Sequence, residues 1–290
     1  MSDSRLIREI VSELQVKGVI EYNEYVISER KGTTDGSVYV LAANGEPKYV
    51  LKLDSPQQIA MAERFYFAYS GTDLLPKLLH SNSAEALLLY EYLAGETHYN
   101  RGPKNEWLPL LVEGLLNHYQ KVPAEEEWGR LQIPRQSWRE FHERSVEGWR
   151  SRAGELLPAE DLEWVQALVA NITADDEEKL LLHGDTGVHN FVFRSLRLKG
   201  VIDPSPMIGP ARYDLLYAFC SSPDDLSLET LLAAYKLLRH EHVETSRLIE
   251  ETAIQLYCRI GICSLHHPHD LPGYLQAWDY WKGLLSRHGQ

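Results

Sequence analysis

Apolar and polar residues alternate in short runs along the first ninety residues of the chain. The runs EYVIS and SVYVLAANGEPKYVLKL, residues 24–28 and 37–53, are rich in β-branched and aromatic side chains, as strands are. Asn44-Gly45 interrupts the second run, and this dipeptide is typical of a tight turn between antiparallel strands. KLLH and ALLLYEYLAG, residues 77–80 and 86–95, predict two more strands. The sequence therefore predicts a small antiparallel sheet here.

Helical spacing appears first in SPQQIAMAERFYFAYSG, residues 55–71, where Pro56 suits a first turn and Gly71 follows the last. This segment predicts one helix beside the sheet. After Gly95 the apolar residues keep mostly helical spacing. Further helices are predicted to begin near Arg135, Ala159, Tyr213, Leu226, Ser246 and Tyr274. The predicted fold class is α+β, with an N-terminal lobe at residues 1–91 and a mostly helical C-terminal lobe at residues 92–290.

Composition narrows the class of protein. A hydrophobic content of 44% over 290 residues is enough for a sizeable core, and no apolar run is long enough to span a bilayer. The net charge of −13, without a dense basic block, argues against a nucleic-acid partner. The three cysteines show no metal-type pairing, and the N-terminus lacks the pattern of a secretion signal. We expect a cytoplasmic protein without a membrane partner, and the oligomeric state stays open.

The most unusual stretch is LLLHGDTGVHNFVF, residues 180–193, because polar residues crowd between two apolar runs. Asp185 is expected on a loop, with Asn190 at its end. A turn and a second short strand, VIDP, then deliver Asp203, so a hairpin can bring Asn190 and Asp203 together. Their oxygens are hard ligands of the kind that Mg²⁺ accepts. Asp185 would then be free to take a proton from an acceptor hydroxyl.

Two other histidine patterns allow a metal site. A hydrolase could bind zinc or iron through His183, Asp185, His189 and Asp203. This alternative leaves the N-terminal lobe without a purpose. The tract LHHPHD, residues 265–270, is expected to be a surface loop.

The motif His-Gly-Asp, with Asn190 five positions after Asp185 and Ile-Asp at Asp203, resembles the catalytic core of the aminoglycoside phosphotransferase family. The resemblance implies a two-lobed protein-kinase-like fold and transfer of the γ-phosphate of ATP or GTP to an alcohol on a small molecule. It implies that Asp185 is the catalytic base and that Asn190 and Asp203 bind Mg²⁺. His183 would buttress the loop.

Lys52 is the cation expected to contact the triphosphate. Its neighbours Leu51 and Leu53 point to the opposite face of the strand. Glu63, on the following helix, is a plausible ion-pair partner, and Glu85 or Glu91 remain open as alternatives.

Two further segments complete the predicted nucleotide site. They are the glycine-bearing turn before β-strand residue Ser37 and the segment around Glu91, which connects the two predicted lobes. Backbone N–H groups near Gly32, Gly36 and Ser37 could approach phosphate oxygens, although a hairpin turn needs no ligand. By resemblance alone, backbone groups near Glu91 and Leu93 would contact the purine.

The acceptor is not fixed by the sequence. Aminoglycosides or other antibiotics, choline, amino-acid alcohols and sugars all suit the fold. A nucleotide-binding pseudokinase is a further alternative. The family commonly has Gly-Asp-Pro where this chain has Gly209-Pro210-Ala211, and Asp214 is expected to support the loop nonetheless. Glu250 and Glu251 could attract a cationic acceptor or form a solvated helix face, and the aromatic residues of PGYLQAWDYWKG are expected in the core.

Overall fold

The computed structural model describes residues 3–30, 36–172 and 178–288. The chain divides into two compact units. The N-terminal unit comprises residues 1–70 and 76–94, and the C-terminal unit comprises residues 71–75 and 95–290. The assignment of residues 1–91 to nucleotide binding, and of residues 92–290 to catalysis and acceptor binding, stays a prediction.

The N-terminal unit contains a five-stranded antiparallel sheet in the order β1-β2-β3-β5-β4. Its elements are α1 (Asp3–Val16), β1 (Val26–Arg30), β2 (Ser37–Ala43), β3 (Glu46–Leu53), α2 (Pro56–Ala68), β4 (Leu78–Asn82) and β5 (Leu87–Glu91). Asn44 and Gly45 both adopt positive φ between β2 and β3, as the predicted tight turn requires. The strands and helix α2 therefore form where the sequence pattern predicts them.

Helix α1 is an element that the sequence analysis missed. Its buried residues Ile7, Val11 and Leu14 belong to one apolar cluster with residues of the sheet, including Leu51 and Leu89. The helical spacing of Ile7, Val11 and Leu14 is visible in the sequence. Because strand-like runs follow it, the region was interpreted as a sheet alone. One face of the sheet is thus covered by α1.

Helix α2 packs through a different set of residues. Ser55 caps it by accepting a hydrogen bond from the N–H of Gln58. Its buried side chains include Phe65 and Tyr66, and the Tyr66 ring stacks on Tyr90 of β5. Because Tyr90 follows Leu89 in the strand, its side chain lies on the face opposite the α1 cluster. The sheet is therefore packed on both faces.

The C-terminal unit is mostly helical. Its helices are α3 (Lys104–Gly114), α4 (Trp138–Gly154), α5 (Ala159–Ala170), α6 (Ala211–Cys220), α7 (Leu228–Tyr235), α8 (Thr245–His266) and α9 (Leu271–His288). Its strands are β6 (Glu96–Thr97), β7 (Gly129–Arg130), β8 (Leu180–Leu182), β9 (Phe191–Arg194), β10 (Arg197–Val201) and β11 (Met207–Gly209). They form two small antiparallel sheets, β10-β9-β6 and β7-β11-β8. The polar segment 183–190 lies between β8 and β9.

Aromatic residues and one ion cluster fill the core of this unit. Trp278 and Trp281 of α9 are buried, as the helical spacing predicted. Glu251 is only 2% exposed, and its carboxylate accepts hydrogen bonds from the guanidinium groups of Arg212 and Arg247. Glu251 therefore does not lie on a solvated helix face, and its charge is paired with two arginines of the protein.

Candidate active site

Two strand ends bring the polar loop together with the segment that carries Asp203. Asn190 ends a 3₁₀ turn just before β9, and Asp203 follows β10. The N–H of Ile202 donates to the carbonyl oxygen of Asn190 at 2.9 Å, so the backbones on either side of the hairpin are joined at this end. Asp203 itself adopts a positive φ of 57°.

The Asp185 carboxylate is held by two side chains of its own loop. Its Oδ2 accepts a hydrogen bond from Asn190 Nδ2 at 2.9 Å and lies 3.2 Å from His189 Nε2. Asn190 Nδ2 also donates to the Asp185 carbonyl oxygen. Burial opposes ionisation of the carboxyl, but the hydrogen bond and charge of His189, together with Arg130, lower its pKa to about 2. Asp185 is therefore ionised at neutral pH.

The His183 ring forms hydrogen bonds that fix the backbone at the start of the loop. Its Nδ1 accepts from the N–H of Asp185 at 3.3 Å, and its Nε2 lies 3.1 Å from the carbonyl oxygen of Ile202. Burial lowers the pKa of the ring to about 4, so the ring is neutral and donates from Nε2. Both ring nitrogens are thus engaged with the protein. Among the described residues, no group of three His, Cys, Asp or Glu side chains is placed to hold a metal.

Asp214 holds the loop in place by accepting hydrogen bonds from it and from Tyr119. Gly184 adopts a φ of 77°, and a Cβ at that position would clash with the carbonyl oxygen of Ser205. The N–H of Gly184 donates to Asp214 Oδ1 at 3.1 Å, and the Tyr119 hydroxyl donates to Asp214 Oδ2 at 2.6 Å. Burial raises the pKa of Asp214 to about 6. The expectation that Asp214 supports the loop agrees with these bonds.

His189 is a residue whose contact the sequence analysis did not find. Its ring lies against the Asp185 carboxylate, with Nε2 3.2 Å from Oδ2. Gly187 leaves the space for this ring, because a Cβ at Gly187 would clash with it. The four-residue spacing between Asp185 and His189 was the available signal, but spacing alone does not fix the path of a loop.

Lys52 lies on β3 of the N-terminal unit. Leu51 and Leu53 belong to the α1 side of the sheet, so Lys52 lies on the other face, as the strand alternation predicts. Its Nζ is 3.6 Å from Asp54 Oδ2. Glu63 accepts a hydrogen bond from the Ser81 hydroxyl. The ion pair between Lys52 and Glu63 stays a prediction, and Asp54 is a partner that the sequence analysis did not consider.

The predicted phosphate turn is described only in part. Gly32 lies outside the described residues. Gly36 packs closely against the residues after β3, because a Cβ there would lie 2.8 Å from both Asp54 Oδ2 and the Leu53 carbonyl oxygen. Ser37 begins β2 opposite Leu53. The phosphate-binding role of this turn stays a prediction.

Glu91 and Leu93 lie at the end of β5 and just after it. The N–H of Glu91 donates to the carbonyl oxygen of Lys77 at 3.0 Å. The N–H of Tyr92 donates to the carbonyl oxygen of Lys48 at 2.9 Å. These two N–H groups are used within the N-terminal unit. A purine contact in this segment would therefore use the Glu91 carbonyl oxygen and the Leu93 N–H.

Solved structures of small-molecule kinases resemble the chain over almost its whole length. ADP-bound aminoglycoside phosphotransferase APH(2'')-Ib is 16% identical with a TM-score of 0.57, covering 94% of this chain and 98% of that one. A macrolide 2'-phosphotransferase type I is 14% identical with a TM-score of 0.61, covering 96% of each chain. A choline/ethanolamine kinase family protein from Mesorhizobium loti is 14% identical with a TM-score of 0.59, covering 97% of each chain. The predicted protein-kinase-like fold is thereby confirmed.

The fold and the loop define a phosphotransferase that uses a hydroxyl group of a small molecule as acceptor. The model of the phosphotransferase enzyme family APH matches residues 26–247, and the chain belongs to this family. Comparison with curated protein sequences finds no match. None of the helices in the described part of the chain is long and apolar enough to cross a membrane.

Proposed function

We propose that the chain transfers the γ-phosphate of ATP or GTP to a hydroxyl of a small molecule, with Asp185 as the catalytic base. The observation that carries this proposal is the state of the Asp185 carboxylate, which is ionised and oriented by His189 and Asn190. Both side-chain contacts use Oδ2. Oδ1 is therefore the oxygen that we assign to the acceptor hydroxyl, whose proton it takes as the bond to phosphorus forms.

Asn190 and Asp203 are the proposed magnesium ligands. The Asn190 amide nitrogen is used by Asp185, so its Oδ1 is the atom to offer to a cation. The Asp203 carboxylate supplies a second hard oxygen from the segment that Ile202 ties to Asn190, and this donor set fits Mg²⁺. When bound, Mg²⁺ neutralises charge on the phosphates. His183 is a positioning residue, because it joins the Asp185 backbone to Ile202.

The N-terminal unit would bind the nucleotide. Lys52 would contact the α- and β-phosphates, with Asp54 or Glu63 orienting its ammonium group. Proposed backbone contacts come from Gly32, Gly36 and Ser37 to phosphate, and from Glu91 and Leu93 to the purine. A cytoplasmic location is proposed with this function, because ATP and GTP are both present there.

The function can be tested by separating turnover from nucleotide affinity. Asp185→Asn is expected to lower turnover by ~10²–10⁴-fold, the usual contribution of a general base, while Mg²⁺-ATP affinity stays nearly unchanged. Asp203→Ala is expected to weaken Mg²⁺-ATP binding. Asp279→Asn, on an exposed position of α9, is the matched control and should change neither quantity. Product is measured by mass spectrometry against a library of alcohols, and affinity by calorimetry.

Three outcomes would contradict the proposal. Equal loss of nucleotide affinity in both variants would refute the division of roles. Nucleotide binding without product from any alcohol would identify a pseudokinase. Turnover without nucleotide that a transition-metal chelator abolishes would identify a hydrolase.

A further inference from the structure

A cavity of about 370 Å³ lies within the C-terminal unit, among α4, α6 and α8. Its size is in the range of small-molecule sites. We call it the aromatic cavity, because Phe141, Trp149, Tyr213 and Tyr217 line it. No Asp or Glu side chain belongs to its lining, all of which lies in the described part of the chain. The aromatic cavity therefore suits a flat or apolar body and offers no anion to a cationic ligand.

Arg130 is the charged side chain of this lining. Its Nη1 donates to the Ser205 hydroxyl at 2.9 Å. Within the described residues no carboxylate forms an ion pair with Arg130, whereas the fully buried Arg212 pairs with Glu241 and Glu251. Arg130 is only partly buried, and the charges of Asp185 and Asp214 act on it without forming an ion pair. An anionic group on a bound molecule would supply a direct ion-pair partner.

His142 is a second polar group of the cavity without a full set of partners. It is 2% exposed, and among the described residues its Nε2 has no hydrogen-bond partner. Its ring packs edge-on against Trp138 and Phe141, which fixes the ring plane. The nitrogen itself has almost no accessible surface, so His142 contributes an unused hydrogen-bonding group to the wall of the cavity and no direct contact for a ligand.

The aromatic cavity is connected to the catalytic loop. Ser205, which accepts from Arg130, donates its N–H to the His183 carbonyl oxygen at 2.9 Å. The Asp185 charge also acts on both Arg130 and Tyr217. The cavity wall is therefore joined to the loop that carries Asp185 through the Arg130–Ser205–His183 contacts.

We propose that the aromatic cavity binds the phosphate acceptor, and that this acceptor is a hydroxylated molecule with an aromatic or flat apolar body and a carboxylate that pairs with Arg130. A polycationic acceptor is disfavoured, because the lining holds a guanidinium and no carboxylate. The acceptor role rests on the proposed function, whereas the charge preference of the cavity does not.

Three probes with one carbon skeleton test the charge preference. They are 2-hydroxy-3-phenylpropanoate, its neutral amide, and the cationic 2-amino-3-phenylpropan-1-ol. Binding to the full chain is measured by calorimetry and by tryptophan fluorescence, to which Trp149 contributes. We expect the anion to bind about tenfold or more tightly than the amide, since a charge-assisted hydrogen bond exceeds a neutral one. The cation should bind most weakly.

Arg130→Gln is expected to weaken binding of the anion by about 10- to 100-fold and to leave the amide nearly unaffected. Arg130→Lys should keep part of the preference, because it retains the charge but loses the planar fork. Arg144→Gln, an exposed arginine of α4, is the matched control and should change nothing. Thermal melting followed by circular dichroism checks folding. If Arg130→Gln does not fold, the order of the three probe affinities in the unmodified protein still tests the proposal.

Several results would overturn the inference. These are equal or tighter binding of the cation, equal weakening of all three probes by Arg130→Gln, or no binding of any probe at millimolar concentration. The proposed function fails separately. Probes that bind in the expected order, with no alcohol gaining ~80 Da from Mg²⁺-ATP, would refute phosphate transfer and the acceptor role, and would leave the charge preference of the cavity standing. If other alcohols were phosphorylated and the rate did not depend on Arg130, phosphate transfer would be supported and the acceptor role of the cavity would be refuted.

Discussion

The loop at residues 183–190 and the aromatic cavity use buried polar groups in opposite ways. In the loop, the buried polar groups have partners inside the protein: Asp214 accepts from Gly184 and Tyr119, and both His183 nitrogens are engaged. In the cavity, His142 Nε2 has no partner among the described residues, and Arg130 donates to a neutral hydroxyl. The first arrangement fixes the shape of the loop, and the second leaves polar groups of the cavity wall with fewer or weaker partners.

This difference predicts two kinds of mutational effect. A loop substitution leaves a buried donor or acceptor without its hydrogen-bond partner. It should therefore lower the free energy of unfolding as well as turnover. Substitution of Arg130 in the cavity removes one hydrogen bond to a neutral hydroxyl, so it should lower acceptor affinity and change stability less than a loop substitution does. Measuring stability and affinity on the same variants therefore separates the loop from the cavity.

Gly184→Ala is expected to have the largest effect on stability. The added Cβ must tolerate a φ of 77° and clashes with the Ser205 carbonyl oxygen, so we expect a loss of about 2–4 kcal/mol. Gly18→Ala is the matched control. Gly18 has a φ of 69°, but nothing lies within 4 Å of the position that a Cβ would take, so only the backbone strain of about 1 kcal/mol remains. Urea unfolding of both variants measures the difference.

Equal losses in the two glycine variants would contradict the view that the loop is tightly held. They would show that the Ser205 backbone moves aside without cost. Turnover gives an independent check, because a displaced Ser205 also disturbs its hydrogen bond to the His183 carbonyl oxygen. Gly184→Ala should therefore lower turnover, and Gly18→Ala should not.

Asp214→Ala is expected to cost about 1–3 kcal/mol, because the Gly184 N–H and the Tyr119 hydroxyl lose their buried acceptor. Asp214→Asn keeps an acceptor oxygen and should cost less. Thermal unfolding of the three proteins measures this order. An alanine variant as stable as the unmodified protein would show that water replaces the carboxylate, and the loop would then be less enclosed than its hydrogen bonds indicate.

The pH dependence of the same variants has a defined sign. Burial raises the pKa of Asp214 to about 6, above its unfolded value near 4. The folded state thus binds more protons than the unfolded state between these values, and the contribution of Asp214 to stability is lost as pH rises through about 6. Relative to the unmodified protein, Asp214→Asn should gain stability as pH rises from about 4.5 to about 7.5. A relative loss over that range would refute the raised pKa.

Local signals in the sequence were sufficient for much of the fold and for the centre of the site. The Asn44-Gly45 turn forms because both residues tolerate positive φ, and α2 begins where Ser55 caps it. The grouping of Asp185, Asn190 and the strand before Asp203 follows from a short hairpin, in which chain connectivity leaves few alternatives. These features depend on residues close together in the chain, so their spacing carries the information.

Features that depend on distant residues were not predictable from spacing. The cavity combines Arg130 of β7, His142 of α4 and Tyr213 of α6, which only tertiary packing brings together. Glu251 looked like a solvated helix residue, and its burial depends on Arg212, which lies 39 positions earlier. A periodic pattern identifies the buried face of a helix but not the polar partner that makes a buried charge acceptable.

His142→Phe is expected to have the smallest effect on stability, within about 1 kcal/mol, because it replaces an unsatisfied buried ring by an apolar ring of similar shape. Its effect on binding of the anionic probe should also be small, within about threefold, because Nε2 has almost no accessible surface through which a ligand could bond to it. Phe141→Leu, beside it in α4, is the matched comparison, because it removes aromatic contact from the cavity without removing a polar atom.

The acid dependence of His142→Phe distinguishes the cavity from the loop most directly. Burial lowers the pKa of His142 to about 4, although Glu251 opposes the shift while Arg212 and Arg247 favour it. The unfolded state then binds more protons between pH 6.5 and 4, so the unmodified protein loses stability as pH falls through that range. The phenylalanine variant lacks this penalty and should gain relative stability on acidification, opposite to Asp214→Asn. A variant that loses relative stability in acid would mean that His142 is charged and partnered in the folded state, which would contradict both its lowered pKa and its unpaired Nε2.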